Sequence, residues 1–247
     1  MVDAAYREMI AERRTWILDR MGEALAKSGR TVSDAMLVAV SKTVGVDEAC
    51  AAVDAGYRVF GENRPQELVR KLEGLSAAGV SPEPLRFDMI GNLQTNKINA
   101  VLGRAHLIHS IGSFHLAEAV STRAARRIEA GEMYAPQPVL IEVNVSGEAS
   151  KSGFSPDELR AAMDNLQGLC GINIEGLMTM APRGDKSVAR ACFSGLRVLR
   201  DELSASSGLA LRELSCGMSE DFPEALEEGS TIVRLGRVVF DPAFAVR

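Results

Sequence analysis

The chain has 247 residues, 46% of them apolar and 25% charged, with a formal net charge of −5. That length allows one large domain or two small ones, and the composition is that of a globular protein with a sizeable core. The acidic balance gives no attraction to nucleic acid or anionic membranes, no apolar run approaches the roughly eighteen residues of a membrane span, and the opening MVDAAYREMIAERR lacks a signal-peptide pattern. Tyr6, Met9, Ile10, Trp16, Ile17, Met21, Ala24 and Leu25 keep to one helical face, which predicts an amphipathic helix over residues 1–29, ending near Gly29. The run from Ala35 to Val40 is apolar throughout, as in a strand buried on both faces of a parallel sheet.

Strand-like segments recur at 36–41, 57–61, 86–91, 106–111, 138–145, 172–180, 211–215 and 231–235, with helical patterns between them. The clearest helix start is Ser155-Pro156-Asp157-Glu158, with Ser at the N-cap, Pro at N1 and Glu completing a capping box. Such alternation implies parallel strands joined by right-handed helical crossovers, and eight strands suit a closed (β/α)8 TIM barrel without exposed edges. Residues 238–247 are too few for a full outer helix, so the opening helix is expected to fill that place in the ring. No internal repeat or linker is evident, which predicts one domain over 1–247. Cys50, Cys170, Cys192 and Cys216 form no CxxC pair, and the three histidines no HxxxH pattern. Reduced thiols in a cytoplasmic protein with no metal site are the expectation.

Reactive groups of such barrels collect outside the carboxyl ends of the strands. Lys42 closes the first strand. It is either a solvated lysine beginning a loop or an amine placed to form a Schiff base with a carbonyl compound. The loops after strands seven and eight often bind phosphate. There Ser219 reads as the N-cap of the helix reaching toward Glu227, Gly236 admits close backbone approach, and Arg237 could add charge. An ordinary helix cap is the alternative for Ser219. Arg234 shares a strand face with Gly236 in an otherwise apolar strand. It needs a partner, which is either a structural ion pair or the ring nitrogen of a bound pyridoxal phosphate.

With these residues assembled, the chain resembles the pyridoxal-phosphate homeostasis protein family, whose fold is similar to the N-terminal barrel of bacterial alanine racemases. The matching segments are Ala39–Thr43, Phe60–Arg64 with Gln66-Glu67, Ile90–Lys97, Asn144-Val145 with Glu148, Lys151–Gly153, Gly176–Pro182, Gly217–Asp221, Gly229–Thr231, Val233-Arg234 and Gly236. Their order and spacing together are highly specific. The resemblance implies that Lys42 holds the cofactor as an internal aldimine, and that Ser219, Gly236 and the backbone at Arg237 hold its phosphate. It also implies Arg234 at the pyridine nitrogen, Asn63 near the ring hydroxyl and Met178 near the ring. The chain departs from the family pattern at Asp88, where a histidine is usual, and at Gly112, Cys216, Arg237 and Asp241.

Two functions fit the resemblance: a cofactor carrier in vitamin B6 and amino-acid homeostasis, serving pyridoxal-phosphate-dependent apo-enzymes, or an amino-acid racemase of weak or one-base activity. Racemases supply a second base as a tyrosine from another domain of a partner subunit. Tyr6, Tyr57 and Tyr134 fall at none of the predicted carboxyl ends. Arginine cannot take a proton from the pyridine nitrogen, as a carboxylate partner would. Both points favour binding over turnover, and the missing second domain predicts a monomer.

Overall fold

The expected alternation runs through the computed structural model, which describes residues 2–81, 83–148 and 151–246. Its strands are β1 (Met36–Val40), β2 (Val59–Glu62), β3 (Arg86–Met89), β4 (Ile108–Ile111), β5 (Gln137–Glu142), β6 (Ile172–Met178), β7 (Glu213–Ser215) and β8 (Ile232–Leu235). All eight are parallel and pair in sequence order, with β8 returning to β1 to close the barrel. Several are shorter than the apolar runs that predict them, because those runs report burial while strand limits report ladder pairing. Leu107 and Leu211, for example, are buried but precede their strands.

Strand alternation divides the side chains between two environments. Val38, Leu140, Met178 and Ile232 join Leu107 in a cluster inside the barrel. Ala39, Phe60, Ile141, Leu177, Val233 and Leu235 belong to the larger core under the helices. The predicted capping box at Ser155 is present, its side chain accepting from Glu158 N–H while Glu158 reaches back to Ser155 N–H.

The opening helix spans Ala4–Ala26. It ends three residues before Gly29, which takes a left-handed conformation (φ 70°) as Arg30 N–H turns back to the Leu25 carbonyl at 3.0 Å. The helix packs against the helices at Val46–Asp54, Phe222–Glu227 and Arg237–Phe240, with Trp16 edge-on to Phe222 at 6.3 Å. Arg13 lies on the same buried face and donates to the carbonyls of Val238 (3.3 Å) and Phe244 (2.9 Å). It thereby ties a helix only four residues long, Arg237–Phe240, and the segment after it to the opening helix. The outer ring is completed in this way, by the first element in place of the last.

Tyr57 is buried in this core, and among the described residues its hydroxyl has no hydrogen-bond partner. Burial pushes its phenol pKa up, with the charges of Arg14 and Arg13 pulling the other way. Because an unpaired buried hydroxyl costs stability, Tyr57→Phe is expected to be neutral or stabilising by up to about 1 kcal/mol. Urea unfolding of both proteins checks this, and a clear loss of stability would contradict it.

Candidate functional site

Barrel closure brings the carboxyl ends of β8, β1 and β2 side by side. Val38 stands opposite Arg234, Ala39 opposite Leu235, and Val40 opposite Gly61. Alternation then turns Val40 and Lys42 inward from β1, and Arg234 and Gly236 inward from β8. A cavity of about 350 Å3 opens there, and its walls include Lys42, Asn63, Ser219, Arg234, Gly236 and Arg237. Six of the seven predicted residues therefore meet in one place.

Met178 does not line the cavity. It is 2% exposed and packs into the apolar cluster inside the barrel with Val38, Leu140 and Ile232. Met180 and Met218 line the cavity in its stead, with Val40, Ile90 and residues 182–186 of the β6 loop. That loop has no chemical motif to single it out. Its one local signal is Asp185, whose carboxylate caps the helix Lys186–Ser207 by accepting from Ser187 and Val188 N–H.

Lys42 is exposed, and among the described residues its ammonium has neither hydrogen-bond nor ion-pair partner. Asn63 is brought to the cavity by close approach of the β2 and β3 loops: a Cβ on Gly91 would fall 2.3 Å from the Asn63 carbonyl oxygen. Only glycine permits that contact.

Ser219 does not cap the helix after β7. The helix begins at Phe222 with Asp221 at its N-cap, because Met218–Asp221 first form a turn. In it the Asp221 carboxylate accepts from Met218 N–H at 2.6 Å, and Asp221 N–H bonds the Met218 carbonyl at 3.1 Å. Gly217, with φ 93°, lets the chain enter that turn. Ser219 is thereby free to face the β8 loop, and its hydroxyl oxygen accepts from Val238 N–H at 3.3 Å. The Arg237 guanidinium, expected as added charge, pairs with Glu220 at 2.7 Å and lies 5.4 Å from the Phe244 ring centroid. That charge is therefore shared with an exposed carboxylate at the cavity rim.

Arg234 is 5% exposed. Its Nη1 donates to the Ser215 carbonyl (2.8 Å) and hydroxyl (2.5 Å), and its Nη2 to the Thr179 carbonyl (3.1 Å). No carboxylate forms a direct ion pair with it among the described residues. Burial lowers the guanidinium pKa from its ordinary value, against the pull of Cys216, Glu142 and Asp221. Burial likewise raises the carboxyl pKa of Glu142 at the end of β5, where Arg234 opposes it. Glu142, Thr179 and Ser215 were not among the predicted site residues. For Glu142 and Ser215 the signal was a polar residue near a strand end, whereas Thr179 enters through its backbone carbonyl, which carries no signal in the sequence.

Residues 18–242 match the family described as alanine racemase, N-terminal domain. A pyridoxal phosphate homeostasis protein of Aquifex aeolicus is 39% identical over 230 residues, covering 93% of this chain and 96% of that protein. The chain belongs to the pyridoxal phosphate homeostasis family. Among solved structures, an unknown protein from Bifidobacterium adolescentis superimposes with a TM-score of 0.88 at 40% identity, covering 97% of this chain and 98% of that one. PipY of Synechococcus elongatus, solved with pyridoxal phosphate bound, gives 0.78 at 32% identity over 94% of this chain and 99% of its own. Among the described residues, no helix is long and apolar enough to cross a membrane.

Proposed function

We propose that this protein binds pyridoxal 5'-phosphate, holds it covalently through Lys42, and takes part in vitamin B6 and amino-acid homeostasis in the cytoplasm. The observation that carries this reading is that Lys42 and Arg234 line one cavity with Ser219 and Gly236. An unpartnered amine, a buried guanidinium and a hydroxyl beside loop backbone match the aldehyde, ring nitrogen and phosphate of that cofactor. The cavity volume falls in the range of small-ligand sites.

When bound, pyridoxal phosphate supplies an aldehyde that captures amines and a ring that draws electrons from them. Lys42 would hold the aldehyde carbon, Asn63 would lie toward the ring hydroxyl, and Ser219, Gly236 and the Arg237 backbone would hold the phosphate. Arg234 can only donate to the ring nitrogen, so it leaves that nitrogen unprotonated and the ring a weak electron sink. The tyrosines offer no second base at the cavity. The Tyr6 hydroxyl donates to the Phe240 carbonyl at 3.0 Å, Tyr57 is buried, and Tyr134 is 98% exposed on the outer surface. Both features favour holding and delivering the cofactor, to apo-enzymes that need it, over turning over an amino acid. We read residues 1–247 as one cofactor-binding domain and the protein as a monomer.

The purified protein is expected to be yellow, and borohydride is expected to fix the cofactor on Lys42, as located by peptide mass analysis. An adduct on a different lysine would overturn the reading.

A further inference from the structure

Arg234 is the last member of a buried polar chain that crosses the barrel interior. Its Nη1 lies 2.5 Å from the Ser215 hydroxyl, which lies 2.9 Å from His109 Nδ1. His109 Nε2 is 3.1 Å from Asp88 Oδ2, and Asp88 also accepts from Arg86 Nε at 2.9 Å and Nη2 at 3.1 Å. Asp88, His109 and Ser215 are each at most 0% exposed. Serine, histidine and aspartate in contact resemble a hydrolytic triad, but this serine is closed to solvent and its hydroxyl is already engaged by Arg234.

The chain can be given only one sense. Burial would raise the Asp88 pKa, but the bonds and charges of His109 and Arg86 outweigh it and hold the carboxyl below its ordinary value. An ionised carboxylate only accepts, so His109 Nε2 carries the proton. Burial keeps His109 neutral by lowering its pKa, with Asp88 opposing and Arg234 and Arg86 assisting. Nδ1 is then an acceptor for the Ser215 O–H, which leaves a serine lone pair for Arg234. Every link therefore donates away from Arg234 and toward Asp88.

We propose, on the reading that pyridoxal phosphate binds with its ring nitrogen at Arg234, that Asp88 is a positioning residue for that contact, acting through His109 and Ser215. By fixing the His109 tautomer it turns the Ser215 lone pair to Arg234 and holds the guanidinium in place to donate to the ring. An amide at position 88 can donate to Nε2 and favour the other tautomer. Nδ1 would then carry a proton toward Ser215, whose own proton would lose its acceptor in a closed space.

The test compares the affinity of the apo-protein for pyridoxal phosphate and for its 1-deaza analogue, which carries C–H in place of the ring nitrogen. Wild type is expected to prefer pyridoxal phosphate roughly ten- to a hundredfold, as one charge-assisted hydrogen bond would give. In Asp88→Asn and in Ser215→Ala the preference is expected to fall to within about threefold, with the analogue bound nearly as in wild type. A general structural role would weaken both ligands alike and leave the ratio unchanged, and that result overturns the proposal. Nitrogen NMR of wild type is expected to show His109 protonated at Nε2, and protonation at Nδ1 would overturn it equally. If Asp88→Asn fails to fold, the Ser215→Ala ratio and the wild-type tautomer decide. A wild type that binds pyridoxal phosphate on Lys42 without preferring it to the analogue would remove the Arg234 contact itself, and no binding at all would remove the cofactor reading.

Discussion

Lys71→Ala is expected to destabilise the folded protein by about 3–5 kcal/mol, the usual cost of leaving one member of a buried ion pair alone. Lys71 and Glu62 are both fully buried. The ammonium donates to Glu62 Oε1 at 3.0 Å and to the Ser41 carbonyl at 2.7 Å, while Glu62 Oε1 also accepts the Ser41 hydroxyl at 2.6 Å. Among the described residues Glu62 Oε2 already lacks a partner. Removing the lysine would leave a carboxylate with one hydroxyl in a dry interior. The double change Lys71→Met with Glu62→Leu removes both charges at similar volume and is expected to recover most of the loss. Urea unfolding of the three proteins checks this, and a single variant within about 1 kcal/mol of wild type would refute it. The knot also lies directly behind Lys42, since Ser41 is the preceding residue. The single variant is therefore expected to loosen cofactor binding as well as the fold.

The second large effect concerns the phosphate. Ser219→Ala is expected to weaken pyridoxal phosphate by roughly ten- to a hundredfold, the value of one hydrogen bond to a charged group, ~1.5–3 kcal/mol. Unphosphorylated pyridoxal is expected to lose far less. Gly236→Val should act in the same direction by a different route. A Cβ at Gly236 would already stand 3.4 Å from the Val40 Cβ and carbonyl oxygen, so the added methyl groups must press on Val40 or enter the cavity. A thermal melt accompanies that variant to separate strain from lost binding. Equal weakening of both ligands by Ser219→Ala would place the phosphate elsewhere.

The different residues of the site were legible to different degrees. Lys42, Ser219, Arg234 and Gly236 could be placed together because each closes a strand or opens the loop after it, and parallel strands deliver those positions to one mouth. Met178 was read near the ring from its family position, and strand alternation places it in the apolar cluster inside the barrel with Val38 and Ile232, behind the residues that line the cavity. Ser219 carried the right composition for a helix cap. Asp221, two residues on, holds the N-cap position because its carboxylate closes the preceding turn on Met218 N–H.

By itself the sequence determined the strand order, the buried faces and the side of the barrel on which chemistry collects, since all three follow from hydrophobic period and from the chirality of parallel crossovers. Only the tertiary structure decided which buried polar groups are partners. Asp88, His109, Ser215 and Arg234 belong to four strands, and Glu62 and Lys71 to a strand and a helix. Periodicity says which way each side chain faces. Its partner across the interior depends on the register at which eight strands close, and no local pattern along the chain encodes that distance.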